Sequence, residues 1–317
     1  MKLAIVLFNL GGPDSLDAVE PYLRNLFSDP AIITLPAILR LPLAWFIARR
    51  RAPLTRGIYS KLGGRSPILE QTQAQARALE QALAARGVEA KAFVSMRCWH
   101  PFSDGAAQAV KAYAPDRIVL LPLYPQYSTT TTASSFADWG RAAKDLRVPT
   151  AQIESYATAR GFIQALAETI RETWGKTRPE IRYRLLLSAH GLPERIIARG
   201  DPYQRQVEQT ANALVNDLGM ESLDWTVCYQ SRVGRLKWIE PSTESEIHRA
   251  GRDGLGVVVA PIAFVSEHSE TLVELDMDYA KLAAETGVAD YLRAPTVGTR
   301  EPFIDALAEL VLKECEP

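Results

Sequence analysis

The segment RYRLLLSAHGLP, residues 182–193, predicts a buried β-strand that ends in a turn. Its apolar run is nearly continuous rather than alternating, which is typical of a strand covered on both faces of a parallel sheet. Gly191 and Pro193 then interrupt the strand, because both residue types favour turns. His190 is therefore expected at the carboxyl end of the strand, where open α/β folds bind their ligands.

Apolar runs of the same kind recur along the chain and predict further strands, at residues 2–8, 91–97, 117–124, 223–229 and 255–262. Amphipathic stretches lie between them. The one at 67–86 has Ser66 as a candidate N-cap, Pro67 at the first helical position and Gly87 after its end. Strands that alternate with helices predict an α/β fold with parallel sheets flanked by helices.

Length and charge narrow the class of protein. The 317 residues suggest two domains of roughly 150 residues or one large domain. The net charge of −1 disfavours a non-specific nucleic-acid binder, which would carry a basic excess. The three cysteines form no CxxC pair, so neither a zinc ribbon nor a disulfide framework is indicated, and a reducing compartment fits best. The apolar N-terminal stretch is too short for a membrane span and lacks a signal-peptide cleavage pattern, which predicts a cytoplasmic protein.

Two pairs of similar segments suggest an internal duplication. The pairs are LFNLGGP (7–13) with LSAHGLP (187–193), and VLLPLYPQYS (119–128) with VVAPIAFVSE (258–267). The duplication aligns Leu10 with His190 and predicts that Leu10 faces His190 across a bound ligand. The segments are farther apart in the first half, which predicts an insertion of roughly 40 residues there.

The segment AIITLPAILRLPLAWFIARRRAP, residues 31–53, is the predicted insertion. Pro36 and Pro42 are expected to prevent one long helix, and the apolar run is too interrupted to span a bilayer. One interpretation is a short helical hairpin packed on the core. The other is an apolar lip over a pocket that also rests on a membrane surface, with Arg49–Arg51 meeting anionic headgroups.

An acidic pattern stands out in PIAFVSEHSETLVELDMDYA, residues 261–280. With Ser266 as N-cap, helical spacing predicts that four acidic residues share one face, and that the apolar and aromatic residues Leu272, Leu275 and Tyr279 lie on another. The four are Glu267, Glu270, Glu274 and Asp278. The face is either a solvated surface or a path for a cation or protons. No Lys or Arg lies between 267 and 280, and His268 is adjacent, which favours the path.

His190 also has two interpretations. A lone histidine at a strand end is commonly a hydrogen-bonded structural residue, but its unperturbed pKa of about 6.5 makes it a usable base at neutral pH. The Rossmann, P-loop, GxSxG and HExxH motifs are absent from the sequence.

Nearly the whole chain closely resembles the ferrochelatase family. The matching motifs are NLGGPD (9–14), TLP (34–36), RRRAP (49–53), GGRSPI (63–68), LPLYPQYS (121–128), LLLSAHGLP (185–193), GDPY (200–203), YQSRVGRLKWIEP (229–241) and PIAFVSEHSETLVELD (261–276). The resemblance implies two Rossmann-like, chelatase-type domains related by a pseudo-two-fold axis, with a porphyrin cleft between them. The expected boundaries are 1–150, with an apolar lip at about 31–65, and 151–300, followed by a C-terminal helix at 301–317 that packs back on the first domain.

The resemblance further implies a lyase-class enzyme that inserts Fe²⁺, as substrate, into protoporphyrin IX to form protohaem, the terminal step of haem biosynthesis. His190 and Glu270 are the implied catalytic pair. His190, Glu270, Glu274 and Asp278 are the implied metal path, with Glu267 and His268 beside it. The implied porphyrin-pocket or lip residues are Leu10, Arg51, Tyr59, Ser66, Arg97, Tyr127 and Trp238. NLGGP is more similar to protoporphyrin-type than to coproporphyrin-type enzymes.

Two departures from the family pattern affect these expectations. Cys98 stands where members often have tyrosine, so the role of that ring is in question here. Thr129 and a tail with only Cys315 leave no ligands for the iron–sulfur cluster that some members hold, so no cluster is predicted. A chelatase for coproporphyrin III or another tetrapyrrole, and a non-catalytic tetrapyrrole or haem carrier, stay open as alternatives. We expect a monomeric cytoplasmic protein, with peripheral contact to the inner membrane through residues 31–53.

Overall fold

The computed structural model describes residues 2–232, 234 and 236–315. The chain divides into two compact units. Unit 1 comprises the chain up to Ser155 and again from Ile304 onward, and unit 2 comprises Tyr156–Phe303. Each unit is built around its own parallel sheet, so the predicted α/β fold with parallel sheets is confirmed.

The sheet of unit 1 has the strand order β2-β1-β3-β4, and its neighbouring strands all pair in parallel. Its strands are β1 (Leu3–Asn9), β2 (Ala90–Met96), β3 (Arg117–Pro122) and β4 (Thr150–Gln152). Every residue of the central strand β1 is buried. Val6 and Phe8 pack with Trp139, while Ile5 on the opposite face is also fully buried. The sheet is therefore covered on both faces, as the continuous apolar runs predicted.

Helices surround this sheet. They are α1 (Val19–Ser28), α2 (Ala37–Ser60), α3 (Ile68–Ala85), α4 (Ser103–Tyr113) and α5 (Thr132–Ala142). Helix α3 begins one residue later than predicted, with Pro67 rather than Ser66 at the N-cap position, and the Ser66 hydroxyl accepts a hydrogen bond from the Ile68 N–H. Gly87, just beyond the helix, has a φ of +78°, a left-handed conformation that glycine adopts without steric cost.

The expectation that prolines break the apolar insertion was wrong, because α2 is one helix that contains Pro42 and Pro53. Each proline leaves the carbonyl four residues earlier without its helical donor, and these carbonyls belong to the exposed residues Ile38 and Arg49, where water can solvate them. A stripe of buried alanines packs the opposite face of α2 against α1. Across the described residues, α2 included, we find no helix long and apolar enough to cross a membrane.

The sheet of unit 2 repeats this topology, with the order β6-β5-β7-β8 and parallel neighbours. Its strands are β5 (Tyr183–His190), β6 (Trp225–Gln230), β7 (Gly256–Pro261) and β8 (Tyr291–Arg293). Phe8 pairs with Pro122 in unit 1 as Ser188 pairs with Pro261 in unit 2. Two residues farther along, Leu10 and His190 thus occupy equivalent positions. The sequence did not predict the three-residue strands β4 and β8.

The helices of unit 2 include an unusual one. They are α6 (Arg160–Trp174), α7 (Glu194–Ile197), α8 (Tyr203–Leu218), α9 (Thr243–Arg252), a π-helix (Glu270–Asp278) and α10 (Tyr279–Glu285). A last helix, α11 (Glu301–Lys313), begins in unit 2 and continues into unit 1. The π-helix follows β7, and α10 extends it directly. The segment with the acidic pattern therefore comes after the carboxyl end of the strand next to β5.

Candidate active site

His190 and Glu270 form a hydrogen-bonded pair in unit 2. Strand β5 ends at His190, and the π-helix that follows the neighbouring strand β7 begins at Glu270. Nδ1 of His190 lies 3.0 Å from Oε2 of Glu270. Both side chains are about one-third exposed, with values of 36% and 30%. The implied catalytic pair is thus assembled at the carboxyl ends of parallel strands, open to an incoming molecule.

The contact fixes which imidazole nitrogen carries the proton. An ionised carboxylate only accepts hydrogen bonds, so Nδ1 of His190 donates and Nε2 is the unprotonated nitrogen of the neutral ring. Burial favours the neutral ring, but the charge and hydrogen bond of Glu270 outweigh burial and raise the pKa of His190 above 6.5. Burial alone would raise the pKa of Glu270, yet His190 lowers it far below 4.5. Glu270 therefore stays ionised.

His268 approaches the same carboxylate from the other side. Its Nδ1 donates to the Ser266 carbonyl at 3.0 Å, and its Nε2 lies 3.6 Å from Oε2 of Glu270. The ring of Phe264 packs edge-on against both histidines, with centroid distances of 6.4 Å to His190 and 4.6 Å to His268. The sequence placed His268 beside the path but did not single out Phe264, whose apolar position resembles any core residue.

Glu274 is surrounded by hydrogen-bond donors. It accepts from the Ser231 backbone N–H at 2.8 Å, from the Ser231 hydroxyl, from Nε2 of Gln230 at 3.1 Å and from the Tyr279 hydroxyl at 2.9 Å. Burial and the charge of Glu270 nevertheless raise the pKa of Glu274. The sequence predicted Glu274 on the path but none of its three partners.

The helical faces predicted for this segment were wrong. An ordinary helix beginning after Ser266 would put Tyr279 and Glu274 on different faces. In the structure the helix begins at Glu270, its hydrogen bonds connect residues five apart, and Tyr279 therefore donates to Glu274. The Thr271 hydroxyl, in the first turn of this helix, accepts a hydrogen bond from the His268 N–H and donates one to the His268 carbonyl.

Glu267 does not share an acidic helix face as predicted but forms a buried ion pair. Arg293, on β8, contacts Oε1 of Glu267 at 2.7 Å and also pairs with both carboxylate oxygens of Asp276. Arg293 is 11% exposed. Burial would raise the pKa of Glu267, but the Arg293 charge and the hydrogen bond from the Thr296 N–H lower it. The missing counter-charge of the acidic segment thus comes from a strand that the sequence did not predict.

Asp278, the last acidic residue of the predicted path, is exposed at the end of the π-helix. Glu270 and Glu274 are thus half-buried, whereas Asp278 is at the surface. In the described part of the chain, no three His, Cys, Asp or Glu side chains form a ready-made metal-binding group.

The turn after His190 is tightly packed. A Cβ on Gly191 would come within 2.9 Å of the Gln230 carbonyl oxygen and 3.1 Å of the Arg232 side chain, so any larger residue would force the backbone to shift. Trp238 bridges to Pro193, next to this turn, and its buried indole N–H has no hydrogen-bond partner among the described residues. Trp238, predicted as a pocket residue, thus lies beside the His190 turn with a free donor.

Three of the predicted pocket or lip residues lie in unit 1 near α1 and α2. Leu10 and Tyr59 belong to the apolar cluster between these helices, which also includes Cys98. Arg51 is half-buried, with its guanidinium 5.9 Å from the centre of the Phe27 ring. Burial raises the pKa of the Cys98 thiol to about 12, so Cys98 is a small apolar core residue and no thiolate.

The other predicted pocket residues of unit 1 have structural partners. Ser66 is buried against Gly12, where a Cβ would lie 2.5 Å from its hydroxyl oxygen. Arg97 pairs with the buried Asp29 at 2.9 Å and donates to the Ser134 hydroxyl at 2.7 Å, beside a cavity of about 250 Å³. Tyr127 is half-buried in the loop after β3.

Comparison with known proteins identifies the class first by fold. SirB from Bacillus subtilis, solved with Fe3+, superposes with a TM-score of 0.60 at 13% identity, covering 99% of this chain and 96% of that chain. SirB is a sirohydrochlorin chelatase, and the likeness shows that this chain has the chelatase fold.

The family follows from sequence. The ferrochelatase family model matches residues 2–315. The ferrochelatase of Caulobacter vibrioides is 57% identical over 98% of this chain and 89% of its own length, and that of Pelagibacter ubique is 49% identical over 100% and 92%. The chain belongs to the ferrochelatase family, and it is a lyase-class metal chelatase of haem biosynthesis.

Proposed function

We propose that this chain inserts Fe²⁺ into protoporphyrin IX to give protohaem, with His190 as the acceptor of a pyrrole proton. The single observation that carries the proposal is the 3.0 Å hydrogen bond between His190 Nδ1 and Glu270 Oε2. Metallation removes two protons from the pyrrole nitrogens, so the site needs a base whose protonated form is stabilised. The His190–Glu270 pair has that property.

The tautomer of His190 determines which ring nitrogen accepts the pyrrole proton. Nδ1 of His190 keeps its proton in the hydrogen bond that it donates to Glu270. The pyrrole proton is therefore received by Nε2 of the neutral ring. The imidazolium that forms lies against an ionised carboxylate. The charge that raises the pKa of His190 is thus the charge that stabilises the product of proton transfer.

Glu274 and Asp278 then carry protons outward. A carboxyl whose pKa is raised exchanges protons closer to neutral pH than an ordinary glutamate, and the pKa of Glu274 is raised. Two of its hydrogen-bond donors, the Ser231 and Tyr279 hydroxyls, can also accept a hydrogen bond from a protonated Glu274, whereas an iron ion would have to displace donors from the carboxylate oxygens. We therefore favour proton conduction over iron binding at Glu274, while His190 and Glu270 remain the proposed iron-handling groups.

The porphyrin contacts proposed from the family resemblance are Leu10, Arg51, Tyr59, Ser66, Arg97, Tyr127 and Trp238. The unpaired indole N–H of Trp238 supports its inclusion, because a buried donor without a partner favours a ligand that supplies an acceptor. The guanidinium of Arg97 is already engaged by Asp29 and Ser134.

The substrate test is anaerobic incubation with Fe²⁺, or with Zn²⁺ as a stable substitute, and either protoporphyrin IX or coproporphyrin III. Absorbance reports metal insertion as the free-base bands are replaced by those of the metalloporphyrin. We expect a higher kcat/KM with protoporphyrin IX. A preference for coproporphyrin III would assign the other chelatase activity, and tight porphyrin binding without insertion of either metal would indicate a carrier.

We further propose that α2 contacts a membrane surface peripherally. Its exposed apolar side chains include Ile38, Leu39, Trp45 and Phe46, and Ile38 is 82% exposed. Arg49 and Arg50 are exposed on the same helix, so apolar burial and attraction to anionic headgroups act together. This proposal keeps the lip interpretation of residues 31–53, of which residues 37–53 belong to α2.

A further inference from the structure

Gln230 occupies the position next to His190 in the sheet of unit 2. Strands β5 and β6 pair in parallel, with His190 opposite Gln230 at their carboxyl ends. The Gly191 N–H donates to the Gln230 carbonyl at 2.8 Å, which extends the pairing one residue past His190. Gln230 is fully buried. Its backbone therefore fixes the end of the strand that carries His190.

The side-chain amide of Gln230 reaches from this strand end to the π-helix. Oε1 accepts from the Ser188 hydroxyl at 2.8 Å. Nε2 donates to the Glu270 carbonyl at 2.9 Å and to Oε2 of Glu274 at 3.1 Å. Both amide donors are thus committed to the acidic helix, while the amide acceptor is committed to strand β5.

We propose that Gln230 is a positioning residue that sets the His190–Glu270 distance, by tying the first residue of the π-helix to the strand that presents His190. The inference deepens the proposed function, because it rests on His190 and Glu270 acting as a pair. The side-chain hydrogen bonds of Gln230 go to Ser188, Glu270 and Glu274 rather than to the His190 ring, so Gln230 acts through Glu270 and strand β5.

Only an amide of this length makes the three contacts. Glutamate would place a second acceptor against the Glu270 carbonyl and the Glu274 carboxylate and would have no donor for either. Leucine has a similar volume but no polar atoms, so the Glu270 carbonyl and the Ser188 hydroxyl would both lose a buried partner. Asparagine keeps the chemistry but is one methylene too short to reach both sides.

The first test observes the His190–Glu270 contact without any turnover. The protein has four histidines, so ¹⁵N-histidine labelling gives few imidazole signals, and the His190→Gln protein assigns the Nδ1–H signal of His190. We expect solvent exchange of this proton to accelerate about tenfold or more in Gln230→Leu, which corresponds to losing one net hydrogen bond. Unchanged exchange in Gln230→Leu would overturn the proposal.

A matched control separates positioning from general loss of packing. Gln75 is another fully buried glutamine, on α3 in unit 1, and Gln75→Leu should lower thermal stability without altering the His190 signal. If Gln230→Leu does not fold, Gln230→Asn and Gln230→Glu provide the same measurement. Exchange that accelerates equally in Gln75→Leu would also contradict the proposal.

The second test uses iron insertion. Gln230→Leu should lower kcat about tenfold or more with little change in KM for porphyrin, whereas Gln75→Leu should preserve kcat. Gln230→Asn should recover part of the rate. A rise in KM with unchanged kcat would place Gln230 in substrate binding and overturn the positioning role. Wild-type protein that inserts no metal would contradict the proposed function alone, since the exchange measurement still tests the position of His190.

Discussion

Nδ1 of His190 donates to Oε2 of Glu270 across 3.0 Å, although 80 positions separate the two residues in the sequence. Two neighbouring strands account for the contact. Strand β5 ends at His190, β7 leads into the π-helix that starts at Glu270, and the strands pair in parallel. An imidazole and a carboxylate are thereby held at the same edge of the sheet.

Removal of the imidazole tests the proposed base. We expect His190→Ala to slow metal insertion by about 10²–10⁴-fold, the usual contribution of a general base, while porphyrin binding is preserved. Absorbance-monitored insertion of Zn²⁺ and porphyrin fluorescence measure the two effects separately. His248→Ala, which removes an exposed histidine on α9, is the control. Insertion by His190→Ala at the wild-type rate would rule out His190 as the essential base.

The pH dependence of Glu270→Gln tests the coupling within the pair. Glu270 raises the pKa of His190 above 6.5, so the neutral form that accepts a proton is lost as pH falls through this raised value. Without the carboxylate the pKa of His190 falls. We therefore expect the acid limb of the kcat profile to move to lower pH, with a lower maximum rate. Glu285→Gln, in a surface pair, should leave the profile in place. If the acid limb of the kcat profile does not move in Glu270→Gln, the ionisation that produces this limb belongs to a group other than His190.

Gly191→Ala tests the close packing of the His190 turn. Its Cβ would press on the Gln230 carbonyl at 2.9 Å, which is backbone and cannot turn aside. Overpacking of this kind costs about 1–3 kcal/mol, measurable as a lower free energy of unfolding in urea. Gly140→Ala, on α5 with open space around the added methyl, should be neutral or stabilising by up to about 1 kcal/mol. Equal effects of the two changes would contradict the packing account.

Arg293→Gln tests the ion pairs that anchor the acidic segment. Glu267 and Asp276 would both lose their partner, and breaking such a buried pair costs about 3–5 kcal/mol. Asp276 is one-third exposed, so we expect the lower end of this range in urea unfolding. Adding Glu267→Gln to Arg293→Gln should recover part of the loss, because one unpaired buried charge is removed. A double variant less stable than Arg293→Gln would argue against uncompensated charge as the cause.

Vesicle binding tests the proposed membrane contact. Each arginine near an anionic surface contributes about 1 kcal/mol, so changing Arg49–Arg51 to serine should weaken binding to phosphatidylglycerol-containing vesicles by roughly 100-fold at low salt. Sedimentation with the vesicles measures the bound fraction. Serine at the exposed arginines Arg77, Arg147 and Arg205 is the matched control. Intact binding after the Arg49–Arg51 change would contradict the electrostatic contact.

The predicted strands and the first predicted helix lie within one or two residues of the observed elements because their signals are local. Apolar runs identify strands that are buried on both faces, and Ser66 with Gly87 marks the ends of α3. The three-residue edge strands β4 and β8 carry no such signal. The break expected at Pro42 was wrong, since the alanine stripe of α2 against α1 and the solvated carbonyls offset the lost helical bonds.

The candidate active site likewise has features that the sequence predicts and features that only tertiary contacts determine. The sequence alone determined that His190 ends a buried strand, that an acidic segment follows another strand, and, through its motifs, that the chain resembles the ferrochelatase family. Tertiary structure decided the hydrogen-bond and ion-pair partners of the acidic residues. Tyr279 donates to Glu274 because of the π-helix, Arg293 forms an ion pair with Glu267, and Gln230 donates to the Glu270 carbonyl. The spacing of apolar residues along the sequence indicates which residues of one helix or strand are buried. Hydrogen-bond and ion partners depend on which elements become neighbours, and the paired strands of unit 2 set those neighbours.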